Sequence, residues 1–298
     1  MDPAETFHVL SFLDDRVRLL WAFSLLAHAQ TLSQDVQRAI CGYFGESFPR
    51  KLVAVFAENL RILDLADGTM QCTKPKIDFE MGCFLYPISE RIVVCMGGRE
   101  TSGVASLDVF AQVVTPLRPM LSVRSFPGVV KVADLLYIFG GEAGGDLVES
   151  EVYSLGRRPS RALPNMQHPR SMFSPCVYAG DILLPGGSPV IESFHIQTET
   201  YTILSVSFPF PGIASVSVIV GDELLSLCLL NHVGKWKLGS SGDFEVGFID
   251  KIASGAMVYS SSPAVLHSSK LYFADVTGNF TIYDLCSNSL SSQRRDFL

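Results

Sequence analysis

Hydrophobic residues after residue 50 are grouped in short runs that alternate with turns rich in Gly, Asp and Ser. The stretch "LYIFGG", which ends at Gly141, is the clearest example, because four apolar residues are followed there by a glycine pair. Short apolar runs bounded by turn-forming residues are typical of buried β-strands. The pattern therefore predicts an all-β arrangement of short strands over residues 49–298.

Copies of this stretch recur along the chain. "VVCMGG" and "ILLPGG" keep the glycine pair, and weaker copies start at Val53, Leu224 and Leu271. The first position after each apolar core falls at Ala57, Gly97, Gly140, Gly186, Cys228 and Asp275, which gives steps of 40, 43, 46, 42 and 47 residues. A period of this length is typical of one four-stranded propeller blade. Six copies predict six such units.

The surroundings of each copy repeat as well. An apolar run and a tight turn precede the core, as in "GVVKVAD" and "SPCVYAGD", and this combination predicts a β-hairpin. A third run with a large residue near its middle follows, and a fourth, poorer strand completes the unit. The large residues are Phe110, Tyr153, Phe194, Trp236 and Tyr283, with Ile62 and Leu63 in the first copy. Each unit is therefore predicted to be a four-stranded sheet.

The segment "LLYIFGGEAGGDLVESEVYSLGRRPSRALPNMQHPRSMFSPCVYAGDILLPGG" resembles the kelch repeat. It has four apolar residues, a Gly pair, a Tyr about twelve positions later, and "LPNM" and "PR" leading into the next copy. The resemblance covers about 250 residues, although Ala162 stands roughly where a kelch blade keeps its Trp, and copies one, five and six lack the Gly pair. It implies a six-bladed kelch-like β-propeller whose loops on one face bind protein ligands.

The repeated glycines and rings have a physical explanation in a propeller, because its wedge-shaped blades narrow toward a central channel. Residues without side chains fit the crowded inner strands, and a large ring on the third strand fills the wider gap between blades. The glycines are Gly97, Gly98, Gly140, Gly141, Gly186 and Gly187, and the rings include Tyr153 and Tyr283. We interpret these residues as structural marks of the repeat.

A phosphate-binding loop is the other interpretation of a glycine cluster. "GGEAGGD" matches neither the dinucleotide motif nor the P-loop motif, and the segment after it has the pattern of a strand. Gly144 and Gly145 do not recur in the other copies, so "EAGGD" is a loop feature peculiar to the third unit.

Residues 1–48 do not fit the repeat and are predicted to form a helical hairpin. One helix would start at the acids of "DDRVRLLWAFSLLAHAQ", and the other would run from a Thr31 to Gln34 capping box to Gly45. The hairpin is expected to cover one end of the propeller. "PAETFHVLSFLDDRVRLLWA" also resembles the start of an F-box, which would imply a substrate receptor of a ubiquitin ligase.

Charge and cysteine usage exclude several classes of protein. With 30 acidic and 23 basic residues the formal charge is −7, so the basic footprint of a nucleic-acid-binding protein is absent. No apolar run reaches about 18 residues, and acids stand where a signal peptide needs basic residues, so we expect a cytoplasmic protein. Seven scattered cysteines without a CxxC pair argue against a zinc site or a disulfide framework.

No catalytic motif is present in the sequence. H-E-x-x-H and G-x-S-x-G are absent and the six histidines are dispersed, so we expect no enzyme, no metal and no cofactor. The loops after the Gly-marked strands should emerge on one face, where mixed charges suit a peptide or partner loop held by charge-assisted hydrogen bonds. The candidate partner-binding residues are Arg99, Glu100, Glu142, Asp146, Asn231, His232 and Asp275.

The sequence thus predicts a non-catalytic protein-interaction module, a scaffold or adaptor that binds a partner protein or peptide on this loop face. The alternative is the substrate-recognition subunit of a ubiquitin ligase, which would dock ligase subunits through residues 1–48. A propeller enzyme is the third and least favoured hypothesis.

Overall fold

The computed structural model describes residues 51–56, 59–64, 70–73, 82–89, 91–99, 101–108, 111, 113–156, 159–207, 215–228, 232–238, 244–251, 265–267, 269–274, 280–287 and 289–293. Within these ranges the regular secondary structure is entirely β-strand. Residues 1–48, for which a helical hairpin is predicted, lie outside them.

The strands form six antiparallel sheets that follow one another along the chain, here numbered I to VI. Sheet I contains β1 (Lys51–Phe56), β2 (Asn59–Asp64) and β3 (Met70–Thr73). Sheet II contains β4 (Phe84–Pro87), β5 (Ile92–Met96), β6 (Val104–Asp108) and β7 (Val113–Leu117). Sheet III contains β8 (Gly128–Val132), β9 (Leu135–Phe139), β10 (Ser150–Ser154) and β11 (Arg161–Leu163).

Sheet IV contains β12 (Cys176–Tyr178), β13 (Asp181–Leu184), β14 (Val190–His195) and β15 (Thr200–Ser207). Sheet V contains β16 (Ser215–Val220), β17 (Glu223–Cys228), β18 (His232–Leu238) and β19 (Phe244–Lys251). Sheet VI contains β20 (Val265–His267), β21 (Lys270–Ala274), β22 (Phe280–Asp284) and β23 (Ser289–Gln293). Two segments connect consecutive sheets in this part of the chain: connector II–III is residues 118–127, and connector III–IV is residues 164–175.

Every sheet is a simple meander, because each strand pairs with the strands next to it in the chain. In sheet III the first hairpin closes where Val132 pairs with Leu135, across a two-residue turn at Ala133 and Asp134. Ala133 has a φ of 51°, the left-handed value that such turns require. The hairpins predicted from "GVVKVAD" and "SPCVYAGD" are therefore confirmed.

Neighbouring sheets pack against each other through a large ring on the third strand. Tyr153 packs on sheet II, Phe194 on sheet III, Trp236 on sheet IV and Tyr283 on sheet V. All four side chains are fully buried. They lie between sheets as predicted, since a ring there buries more apolar area than any smaller side chain. Phe110, for which the same position is predicted in sheet II, lies outside the described residues.

The glycine pairs follow the second strands and contact the connectors. Gly140 has a φ of +56°, and a Cβ at this position would lie 2.2 Å from the carbonyl oxygen of Arg170 in connector III–IV. Gly97 is packed in the same way, and its Cβ would lie 2.3 Å from the carbonyl oxygen of Arg124 in connector II–III. The crowding at these two glycines thus comes from the segment that leads to the next sheet, and not from strands around a channel.

Main-chain hydrogen bonds also join successive sheets just before their first strands. The N–H of Met172 donates to the carbonyl of Phe126 at 3.0 Å, and the N–H of Phe126 donates to the carbonyl of Gly82 at 2.7 Å. All three residues have positive φ values, 55°, 49° and 86° respectively. The same local conformation therefore recurs before the first strands of sheets II, III and IV, at the spacing of the repeat.

The described part of the chain is all-β, in agreement with the predicted class. Sheet I differs from the predicted unit, because three strands instead of four are described for it. Among the described residues, no helix has the length and apolar character that crossing a membrane would take.

The contacts of the glycines predict unequal effects on stability for two alanine substitutions in one loop. Gly140→Ala should lower the free energy of unfolding by at least about 2 kcal/mol, because the methyl group would overlap a carbonyl oxygen at a positive φ. Gly145→Ala is the matched control, since a Cβ there meets nothing within 4 Å, and should change it by less than about 0.5 kcal/mol. Urea denaturation of both variants measures the difference, and equal midpoints would contradict the proposed packing.

Candidate functional site

The loops that follow β5 and β9 are both bonded to connector II–III. The N–H of Gly98 donates to the carbonyl of Arg124 at 3.1 Å. In the other loop, Glu142 and Ser125 exchange two main-chain hydrogen bonds of 2.8 and 2.9 Å, as a short antiparallel bridge. The connector therefore holds the two loops in fixed positions relative to each other.

Each connector contains a buried arginine that contacts two sheets at once. The main chain of Arg124 bonds the loop of sheet II, whereas its Nη1 donates to the carbonyls of Gly140 (2.7 Å) and Glu149 (3.0 Å) in sheet III. In connector III–IV, the carbonyl of Arg170 accepts from Gly141 of sheet III. The Nη1 of Arg170 donates to the loop carbonyls of sheet IV in the same pattern.

A glutamate on the third strand completes each arginine site. Glu192 on β14 accepts from Arg170 Nη2 at 2.6 Å and from two connector N–H groups, Gln167 at 2.9 Å and His168 at 3.0 Å. These side chains of Arg170 and Glu192 are fully buried. Buried charges are stable in a protein when they are paired and hydrogen-bonded, and this site meets both conditions.

The equivalent pair in sheet III is looser. Arg124 Nη2 lies 3.3 Å from Glu151 Oε1, while Glu151 Oε2 accepts from the N–H of Leu121 at 2.8 Å. Burial raises the pKa of the Glu151 carboxyl, an effect that the Leu121 N–H and Arg124 offset only in part. Burial likewise lowers the pKa of Arg124. Desolvation of the Glu151 carboxyl is thus only partly compensated by its hydrogen bond and by Arg124.

A pocket of about 320 Å³ opens between the two loops and the connector. Its lining residues come from the loop of sheet II (Arg99), from connector II–III (Val123, Ser125 and Phe126) and from the loop of sheet III (Glu142, Ala143 and Gly144). Arg99 and Glu142 are exposed, so one positive and one negative side chain lie at the rim. Val123 is 42 % exposed and adds apolar surface between them.

The segment "EAGGD" forms a miniature hairpin beside this pocket. Glu142 and Asp146 are bridged, and the N–H of Ala143 donates to the carbonyl of Gly145 at 3.0 Å. A Cβ at Gly144 or Gly145 would meet nothing within 4 Å, so the glycines at this tip are not required by packing. All five residues of this hairpin are exposed.

The predicted partner-binding residues fall into four groups. Arg99 and Glu142 line the same pocket, although 43 residues separate them in the chain. Asp146 belongs to the neighbouring hairpin, where its carboxylate accepts from Ser171 Oγ at 2.6 Å. The main chain of His232 opens β18, and three further candidates lie outside the described residues: Glu100, Asn231 and Asp275.

Sequence reasoning missed the connector residues that complete the pocket, Val123 and Phe126, and the buried arginines of the two connectors. A signal was present, since "MLSVRS" and "MQHPRS" place Met, Arg and Ser at the same positions 46 residues apart. Met120 and Met166 both contact the glycine of the preceding loop. The glutamates follow their arginines by 27 and 22 residues, an unequal spacing that hides the pair in the sequence.

Comparison with known proteins adds no family assignment, because no protein-family model and no curated protein matches the chain.

Within the described ranges, no three His, Cys, Asp or Glu side chains are grouped so that they could hold a metal ion. Two of the cysteines in apolar runs, Cys95 and Cys176, are buried free thiols, and burial raises the pKa of Cys176 to about 12.

The different hydrogen bonding of the two pairs predicts unequal costs for the same substitution. Glu192→Gln removes a charge that three donors bind and should lower the free energy of unfolding by about 3 kcal/mol. Glu151→Gln, at the looser pair, should cost about 1.5 kcal/mol. Urea titrations of the two variants test the order, and a larger loss for Glu151→Gln would show that the distances do not report the strength of the pairs.

Proposed function

We propose that the protein is a non-catalytic interaction module that binds a partner protein or peptide in the pocket between the loops of sheets II and III. The observation that carries the proposal is the convergence of Arg99 and Glu142 on one pocket. A volume of about 320 Å³ lies at the lower end of the range for ligand pockets, enough for a few side chains of a peptide.

The architecture proposed with this function is a kelch-like β-propeller of six blades, one for each sheet. Six meanders in chain order support it, as do the rings buried between successive sheets and the arginines that bridge them. Radial repetition of this kind leaves only short, protected sheet edges. The loops after the second strands then gather on one face.

The chemistry of the pocket favours a dipolar peptide segment. Arg99 would bind a carboxylate of the ligand and Glu142 a basic side chain, each through charge-assisted hydrogen bonds. Val123 and Ala143 offer a small apolar surface between the two charges. A ligand with an acidic and a basic residue flanking a small apolar one matches this arrangement.

Partner capture with charge-reversal variants tests the proposal. The full chain is immobilised, proteins from a lysate of its own cells are captured, and each captured protein is quantified by mass spectrometry. Arg99→Glu and Glu142→Lys should each reduce one common set of captured proteins by roughly tenfold or more, because a reversed charge repels the group that the native residue binds.

Arg91→Glu serves as the control variant. Arg91 is exposed and pairs with Asp108, but it lies at the opposite end of β5 from Arg99. It should leave the captured set unchanged. Equal capture by the native protein and both pocket variants would exclude this pocket as the binding site.

The ubiquitin-ligase alternative concerns residues 1–48, outside the described residues, and the same capture distinguishes it. Ligase subunits that are lost when residues 1–48 are deleted, but kept by the Arg99→Glu variant, would support a docking role for that segment. Their absence from the full-length sample would rule that role out.

A further inference from the structure

The connection between β10 and β11 contains an arginine pair directly before a serine. In "GRRPSR", Arg157 and Arg158 precede Ser160 by three and two positions. The only other adjacent arginines in the given sequence, Arg294 and Arg295, have Phe297 at the position equivalent to Ser160. The combination of two arginines and a nearby serine therefore occurs once in the chain.

Ser160 lies where an enzyme can reach it. It immediately precedes β11, the three-residue strand at one end of sheet III. Pro159 and Arg161 on either side of it are exposed, and Ser160 itself is half-buried. Pro159 has no N–H to give to a strand partner, so the main chain before β11 is not held by that residue.

Ser154, the serine at the start of this connection, is less accessible than Ser160. Ser154 ends β10, is 7 % exposed, and its Oγ accepts from the N–H of Gly156 at 3.3 Å. The hydroxyl of Ser154 is thus hydrogen-bonded within the turn and shielded from solvent. This contrast makes Ser154 a natural control for Ser160.

We propose that Ser160 is a phosphorylation site for an arginine-directed protein kinase. Kinases of this class select substrates by charge, with acidic subsites that pair with arginines two and three residues before the acceptor. The Ser160 Oγ attacks the γ-phosphorus of ATP, the new Oγ–P bond replaces the bond to the β-phosphate oxygen, ADP leaves, and the hydroxyl proton passes to the kinase base.

The modification places negative charge at a boundary between two sheets. Arg161, the next residue, donates through Nη1 to Glu199 Oε2 at 3.0 Å, and Glu199 belongs to the turn between β14 and β15 of sheet IV. A phosphoserine carries close to two negative charges and competes with carboxylates for arginine. The phosphate and Glu199 would then share one guanidinium.

The test uses the folded full-length protein, ATP and the catalytic subunit of a cyclic-nucleotide-dependent kinase. Intact mass should show one added phosphate, and fragmentation should place it on Ser160. Ser160→Ala should take up none, whereas Ser154→Ala should be modified like the native protein. Replacing both Arg157 and Arg158 by alanine should slow the reaction roughly tenfold or more, through loss of two charge-assisted contacts.

Three results would overturn the proposal. They are modification of another residue in place of Ser160, undiminished labelling of Ser160→Ala, and phosphorylation of the urea-unfolded chain alone. Circular dichroism of each variant, recorded before the assay, shows that a loss of labelling does not come from a loss of fold.

Discussion

The structure depends on buried arginines that each bind two consecutive sheets. Arg124 and Arg170 offer their carbonyl oxygens to the glycine loop of one sheet and their guanidinium groups to the loop and third strand of the next. The carbonyl can approach only because the loop residue it meets has no side chain. The negative charges of the glutamates pair with these buried guanidinium groups and offset part of their desolvation cost. The position of each arginine therefore depends on the glycine that its carbonyl approaches and on the glutamate that pairs with its guanidinium group.

This unit explains how a pocket can be built from loops and still be well defined. The loop of sheet III is bridged to Ser125 of connector II–III, and the Arg124 carbonyl accepts from the loop of sheet II. Both loops are therefore fixed to one short segment whose arginine is fully buried. Binding residues on such supported loops hold their geometry better than residues on loops that are anchored only at their ends. Arg99 and Glu142 line the same pocket because the connector fixes the positions of their two loops.

The sequence predicted the features that repeat with a local pattern. The strands, the two-residue turns and the buried rings follow from apolar runs, Gly and Asp positions, and one large residue per copy, all of which depend on neighbours in the chain. The arginine–glutamate pairs could not be predicted in this way, because the partners are separated by different numbers of residues in the two copies. Of the residues that line the pocket, Arg99 and Glu142 are candidates from the sequence, whereas Val123 and Phe126 belong to a segment that comes close to them only in three dimensions.

The two glycine pairs of "GGEAGGD" differ in their surroundings. Gly140 and Gly141 are packed against connector main chain, and any side chain there would collide with it. A Cβ at Gly144 or Gly145 would meet nothing within 4 Å, but Gly144 has a φ of +76°, a backbone conformation that favours glycine. Of these two glycines, Gly145 is therefore the one at which neither packing nor backbone conformation requires glycine. Ala143 and Gly144 line the pocket while Gly140 packs against the connector to the next sheet, so the residues that line the pocket differ from the residue that holds the loop in place.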